Sequence, residues 1–216
     1  MKLYPILCEN YNEISLSFYD KYRAGVGKYR GSGCIWDFNE HTPEENYDYI
    51  NTRRDTYNSA FGAIVFQAIA VEAFVNLFGV YRLGDKVFYS DIEKHGATTS
   101  DKLKNIYKRL YGNNYPTNTV EYNRLKSLLS KRNRIVHTKP KALSMQDEAT
   151  TPNYSVFMEQ VDFIFSNIDE EMKSYETLKR TIKELEKKEC DLIQEIYKEI
   201  DQAVNERITS MINSVF

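Results

Sequence analysis

The chain has 216 residues and is 42% hydrophobic, enough to bury a sizeable core in one generous domain or in a domain with an appendage. Its 14 glycines and prolines make up under 7% of the residues, which excludes collagen-like and low-complexity character and a turn-rich all-β fold. A formal charge of −2 excludes a polycation, so contact with nucleic acid has to come from a local patch.

Three scattered cysteines (Cys8, Cys34 and Cys190) stand in no CxxC spacing. They predict neither a disulfide framework nor a structural zinc site, and they fit a reducing cytosol. The first thirty residues carry Glu9, Asn10, Asn12, Glu13 and Asp20, so no signal peptide is expected.

In chain order, Ile14, Phe18 and Tyr22 recur every four positions and predict an amphipathic helix over 11–22. Gly25, Gly27, Gly31 and Gly33 follow among polar residues and read as a flexible loop, its far end pinned by Trp36 and Phe38. They lack the GK[ST] element of a phosphate-cradling loop. Thr42-Pro43-Glu44-Glu45 is a capping box with proline at the first helical position. The helix it opens should run to Phe78, with a kink near Gly62, and stop at Gly79.

The stretch from Ala60 to Gly79 is about long enough to span a bilayer. It carries Gln67, Glu72 and Asn76, however, and a mid-span carboxylate is costly. It therefore reads as the central helix of a bundle, with no membrane involved. Residues 80–98 read as irregular. A short helix is expected after Ser100, ending at Gly112, and another from near Asn118, with Glu121 completing a second capping box.

From Asn153 to Phe216 there is no glycine or proline, and apolar residues recur every three or four positions. A single helix of that length would reach roughly 96 Å, so a hairpin near 166–171 or 187–191, or a projecting coiled coil, is expected. Glu176/Arg180 and Glu184/Lys188 are i,i+4 pairs on a solvated face. The predicted fold is all-α: a bundle over residues 1–165 and a C-terminal helix or hairpin over 166–216, packed on the bundle or at a dimer interface.

The chemistry concentrates in Arg124–Lys141, RLKSLLSKRNRIVHTKPK, with seven basic residues and no acid. The segment after Pro152 holds 14 acids against 8 bases. Clustered cations are the footprint of a phosphate-binding surface, although a solvated basic helix has the same composition. On a helix Asn133 and His137 share a face, whereas Arg132 lies about 140° round from His137. These groups suit metal-free RNA cleavage. An imidazole titrating near neutrality exchanges protons with ribose and leaving-group oxygens, and a guanidinium grips phosphate bidentately. His41 and His95 have no ligand-spaced partner, and Glu195 and Glu199 have no histidine nearby, so no metal or cofactor is expected.

Arg132, Asn133 and His137, late in an all-α chain and after the apolar AIAVEAFVN segment, resemble the signature of HEPN (higher eukaryote and prokaryote nucleotide-binding) domains. The resemblance is sharpest over 118–141 and extends to 47–79. It implies a helical bundle that homodimerises to form one composite cleft. It also implies a metal-independent endoribonuclease of toxin–antitoxin, abortive-infection or antiviral systems, cytoplasmic and sometimes paired with an antitoxin or defence partner. In that scheme His137 is the acid/base, Arg132 the phosphate contact and Asn133 the orienting group. Lys131, Arg134, Lys139 and Lys141 are assigned by charge as RNA-backbone grips. Glu72 is expected either to buttress an arginine of the motif or to make a helix-packing hydrogen bond. Lys139 stands where some toxins of this family carry a tyrosine that an antitoxin nucleotidylates. Two rival readings are a non-catalytic RNA-binding or adaptor protein and a purely structural helical protein.

Overall fold

The computed structural model describes residues 3–31, 42–93, 97–137, 163–188 and 191. Among them no strand occurs and 87% are helical, so the fold is all-α.

Helix α1 (Leu3–Gly31) and helix α2 (Pro43–Leu83) form an antiparallel pair. Tyr11 stacks near Phe66, Ser15 donates to the Ala63 carbonyl at 2.8 Å, and Phe18 lies against Gly62. One number rises as the other falls. At the far end Gly25 meets Thr56, where a Cβ would sit 2.0 Å from the threonine Oγ1. Gly25 and Gly27 therefore belong to α1, which runs nine residues past the expected end at Tyr22. Gly25, Gly27 and Gly31 are helix rather than loop, with Gly25 a contact point between helices, and Gly33 lies outside the described residues. Trp36 and Phe38 lie outside the described residues.

The capping box of α2 matches the expectation. Glu45 N–H donates to Thr42 Oγ1 at 3.2 Å, and Thr42 N–H donates to Glu45 Oε2 at 2.8 Å. The helix continues past Gly79 to Leu83, and Gly84 at φ 80° closes it. Gly79 is a packing residue instead, since a Cβ there would lie 2.5 Å from the Phe88 ring and 2.8 Å from Ile106. Helix α3 (Asp85–Val87) and a π-helical turn (Phe88–Ile92) follow, where the sequence predicts an irregular stretch.

Helix α4 (Thr99–Tyr111) is capped by Thr98 and stopped by Gly112 in the left-handed region. Helix α5 (Val120–Val136) is capped by Thr119, which accepts from Tyr122 N–H at 3.2 Å. That one-residue shift removes Glu121 from the predicted box. After helical residues 163–165 the chain turns at Asn167 (φ 59°) into a single turn, α6 (Ile168–Glu171), within the 166–171 stretch that the sequence offers as one place for a hairpin.

The described residues up to Tyr175 form one compact unit and those from Glu176 a second. Residues 163–175 stay with the first unit because α1, α2 and α5 bond to them. Phe165 packs against Tyr22, Tyr57 and Phe61, and Tyr19 Oη donates to Asp169 Oδ1 at 2.5 Å. In the second unit residues 176–188 are helical. There Lys179 pairs with Glu176 and Arg180 with Glu184, in place of the expected Glu176/Arg180 and Glu184/Lys188 pairs.

Helix α2 is the centre of the first unit. Ala60, Ala63, Ile64, Ala70, Val71 and Val75 have no exposed surface. It contains a window long and apolar enough to cross a bilayer. Three polar side chains in the apolar half of α2 each reach a different element. Gln67 donates to the Met172 carbonyl at 2.9 Å, Glu72 meets Arg132, and Asn76 accepts from Lys102 at 3.3 Å. Burying such groups costs free energy unless they are bonded: the half-buried Glu72 and Asn76 are bonded, whereas Gln67, bonded through Nε2, keeps a buried Oε1 with no hydrogen-bond partner among the described residues.

Candidate nucleic-acid interface

Helix α5 places the basic motif. Tyr122, Leu125, Leu128 and Lys131 are its buried residues, recurring every three positions. Lys131 thus continues the apolar stripe inward rather than the basic face outward. Its side chain is 1% exposed, and Nζ lies 2.7 Å from Glu171 Oε2, itself on a side chain 1% exposed. The ammonium also donates to the Ser166 carbonyl, while Ser127 Oγ donates to Glu171 Oε1 at 2.6 Å. Burial pushes the Glu171 carboxyl above the usual range, against the opposing pull of the Lys131 and Ser127 hydrogen bonds. The assignment of Lys131 as an RNA grip is therefore corrected: it is an internal ion-pair partner, sealed from phosphate.

One residue on, and about 100° round the helix, Arg132 faces α2. Its Nη2 donates to Glu72 Oε2 at 3.4 Å and its Nη1 donates to Asn133 Oδ1 at 2.9 Å. The Arg132 and Glu72 side chains are 29% and 35% exposed, so the guanidinium is held yet still open to solvent. Of the two alternatives for Glu72, the carboxylate meets an arginine of the motif.

Arg134 is exposed, with its guanidinium carbon 4.3 Å from the centre of the Phe163 ring in a cation–π contact.

His137 is the C-cap of α5, with φ −112° and its backbone N–H on the Asn133 carbonyl at 2.9 Å. The imidazole is exposed and makes no hydrogen bond to Arg132 or Asn133 among the described residues. The fold thus brings Arg132, Asn133 and Glu72 together and leaves the imidazole at the helix end. Lys139, Lys141, His41, His95, Glu195 and Glu199 lie outside the described residues.

Cavities of about 470 and 300 Å³ lie along α4 and between α5 and α6, and neither is lined by Arg132, Asn133 or His137. Among the described residues no three His, Cys, Asp or Glu side chains converge as metal ligands. Glu171 and Ser127 are not among the residues the sequence singles out. The three-residue spacing that ends on Lys131 was the available signal, since a lysine in a buried register requires a carboxylate.

No protein-family model matches the chain, and neither a curated protein nor a solved structure matches it.

Proposed function

We propose that the chain is a cytoplasmic HEPN-type endoribonuclease that cuts single-stranded RNA without a metal, in a cleft completed by a second copy of itself. The observation that carries this reading is the Arg132–Asn133–Glu72 cluster, a guanidinium pre-oriented by two partners at the solvent edge of an all-α bundle. The exposed imidazole at the end of the same helix supplies the proton chemistry.

In that cleft the ribose 2′-oxygen attacks the adjacent phosphorus and His137 takes its proton. The bond to the 5′-oxygen breaks, and the partner subunit's His137 returns a proton to that oxygen. The products are a 2′,3′-cyclic phosphate and a 5′-hydroxyl. Arg132 grips the non-bridging oxygens and stabilises the charge that grows on them. Asn133 and Glu72 keep the guanidinium plane fixed, and Arg134 contributes a backbone contact. Control by an antitoxin or defence partner fits such an activity. The bonded polar residues of α2 favour a core helix over a membrane span.

A digest of single-stranded RNA in the presence of EDTA tests the proposal. Cleavage by the wild type, lost in His137→Ala and reduced about 100-fold or more in Arg132→Ala, is the expected result. Cleavage that needs added magnesium, or that survives His137→Ala, overturns it. A second reading, a non-catalytic RNA-binding adaptor, draws on the Arg132–Glu72 ion pair, which already occupies part of the guanidinium. Equal salt-sensitive RNA binding by wild type and His137→Ala, with no cleavage by either, would select it.

A further inference from the structure

We infer that Glu171 is the positioning residue of the arginine centre, acting through Lys131 and Ser127 to set the rotation of α5. The inference rests on the functional reading above for its consequence and on geometry for its cause. A single carboxylate of α6 receives bonds from two successive turns of α5, with Ser127 on Oε1 and Lys131 on Oε2. Two attachments four residues apart fix a helix against both rotation and sliding.

Glu171 is a firm anchor because α6 and the residue after it are tied to three helices. Asp169 accepts from Tyr19 of α1, Glu170 pairs with Arg124 of α5, and the Met172 carbonyl accepts from Gln67 of α2.

Arg132 follows Lys131 directly, so any rotation released at the Lys131 side appears at the guanidinium. At a side-chain radius of about 5–6 Å, a turn of about 20° displaces it by about 2 Å. That exceeds the tolerance of the 3.4 Å contact with Glu72 of α2, whereas the bond to Asn133 turns with the helix that carries both residues. A misplacement of about 1 Å in a catalytic group can cost about 100-fold in rate.

The experiment replaces the buried pair by apolar residues of similar volume, Lys131→Met with Glu171→Leu. Such a swap often preserves or raises stability while removing every directional bond. Three readouts are compared with wild type: the urea unfolding midpoint, the side-chain Nε–Hε NMR signal of Arg132 assigned by its loss in Arg132→Lys, and the kcat and KM of RNA cleavage. The expected result is an unfolding midpoint at or above that of wild type, an exchange-broadened Arg132 signal, and a kcat about 100-fold lower with KM within about threefold. An Arg132 signal and a kcat unchanged in the folded double variant overturn the inference.

Ser127→Ala, which removes one of the two attachments, serves if the double variant does not fold. It is expected to broaden the same signal and to lower kcat by about three- to tenfold, and an unaltered signal with unaltered kcat again overturns the inference. Should the wild type cut no RNA, the functional reading falls, and the Arg132 signal still decides the positioning role.

Discussion

Lys131 and Arg132 are adjacent cations on one helix with opposite fates. The lysine is sealed against Glu171 and bonds to the α6 side of the bundle, whereas the arginine stands at the solvent edge against Glu72. The contrast teaches that a basic run is not yet a basic surface. A helix turns its neighbours about 100° apart, so two members of one cluster can serve the core and the surface separately.

The strongest way to break this comparison is to remove one member of each pair. Lys131→Met alone or Glu171→Leu alone leaves an uncompensated buried charge and should cost about 3–5 kcal/mol, while the double variant stays near wild type. Glu72→Gln, which loosens the half-exposed pair, should cost about 1 kcal/mol or less. Urea unfolding of the four variants measures both, and equal losses from the two pairs would erase the distinction.

The glycines of α1 sharpen the same lesson on a smaller scale. Gly25→Ala drives a methyl into Thr56 and should destabilise by about 1–3 kcal/mol. At Gly27 an added methyl would meet no neighbouring heavy atom within 4 Å, so Gly27→Ala should stabilise the helix by about 0.5–1 kcal/mol. Thermal melts of the two variants should move in opposite directions.

The smallest expected effects are in pH dependence, and their signs differ. The Asp101 carboxyl is held low by its hydrogen bonds from Lys104 and Thr98. Its contribution is present above the ordinary aspartate range and is lost as pH falls through the lowered value. Glu171, raised by burial, has the opposite sign: the fold holds its proton more tightly than the unfolded chain does. Its titration lowers stability as pH rises from the ordinary glutamate range through the raised value. Unfolding midpoints between about pH 3 and 7 should show a weaker acid-side loss in Asp101→Asn and a changed slope of opposite sign in Glu171→Gln.

Much of the helix plan was legible locally. Thr42 and Glu45 announced α2, Gly112 announced the end of α4, and the four-residue recurrence of Ile14, Phe18 and Tyr22 announced α1. The misreadings share one cause. Gly25, Gly27 and Gly79 resembled punctuation, yet α1 and α2 run through them; Gly25 and Gly79 are sites of close approach by Thr56 and by Phe88 with Ile106. Glycine lowers helix propensity by about 1 kcal/mol, which a tight interhelical contact readily offsets. At the site, the Arg132–Glu72 pairing and the angular separation of Arg132 from His137 were among the readings of the sequence, while the burial of Lys131 was not.

Residue chemistry and spacing by themselves determined that this protein is helical, that α2 is its apolar centre, and that arginine, asparagine and histidine follow one another along a single basic helix. Only the tertiary structure decided which cation faces the core and which faces water. Periodicity sets where a side chain stands around its own helix axis, but the partner it meets, Glu171 or Glu72, comes from a segment 40 or 60 residues away and is chosen by how the helices pack.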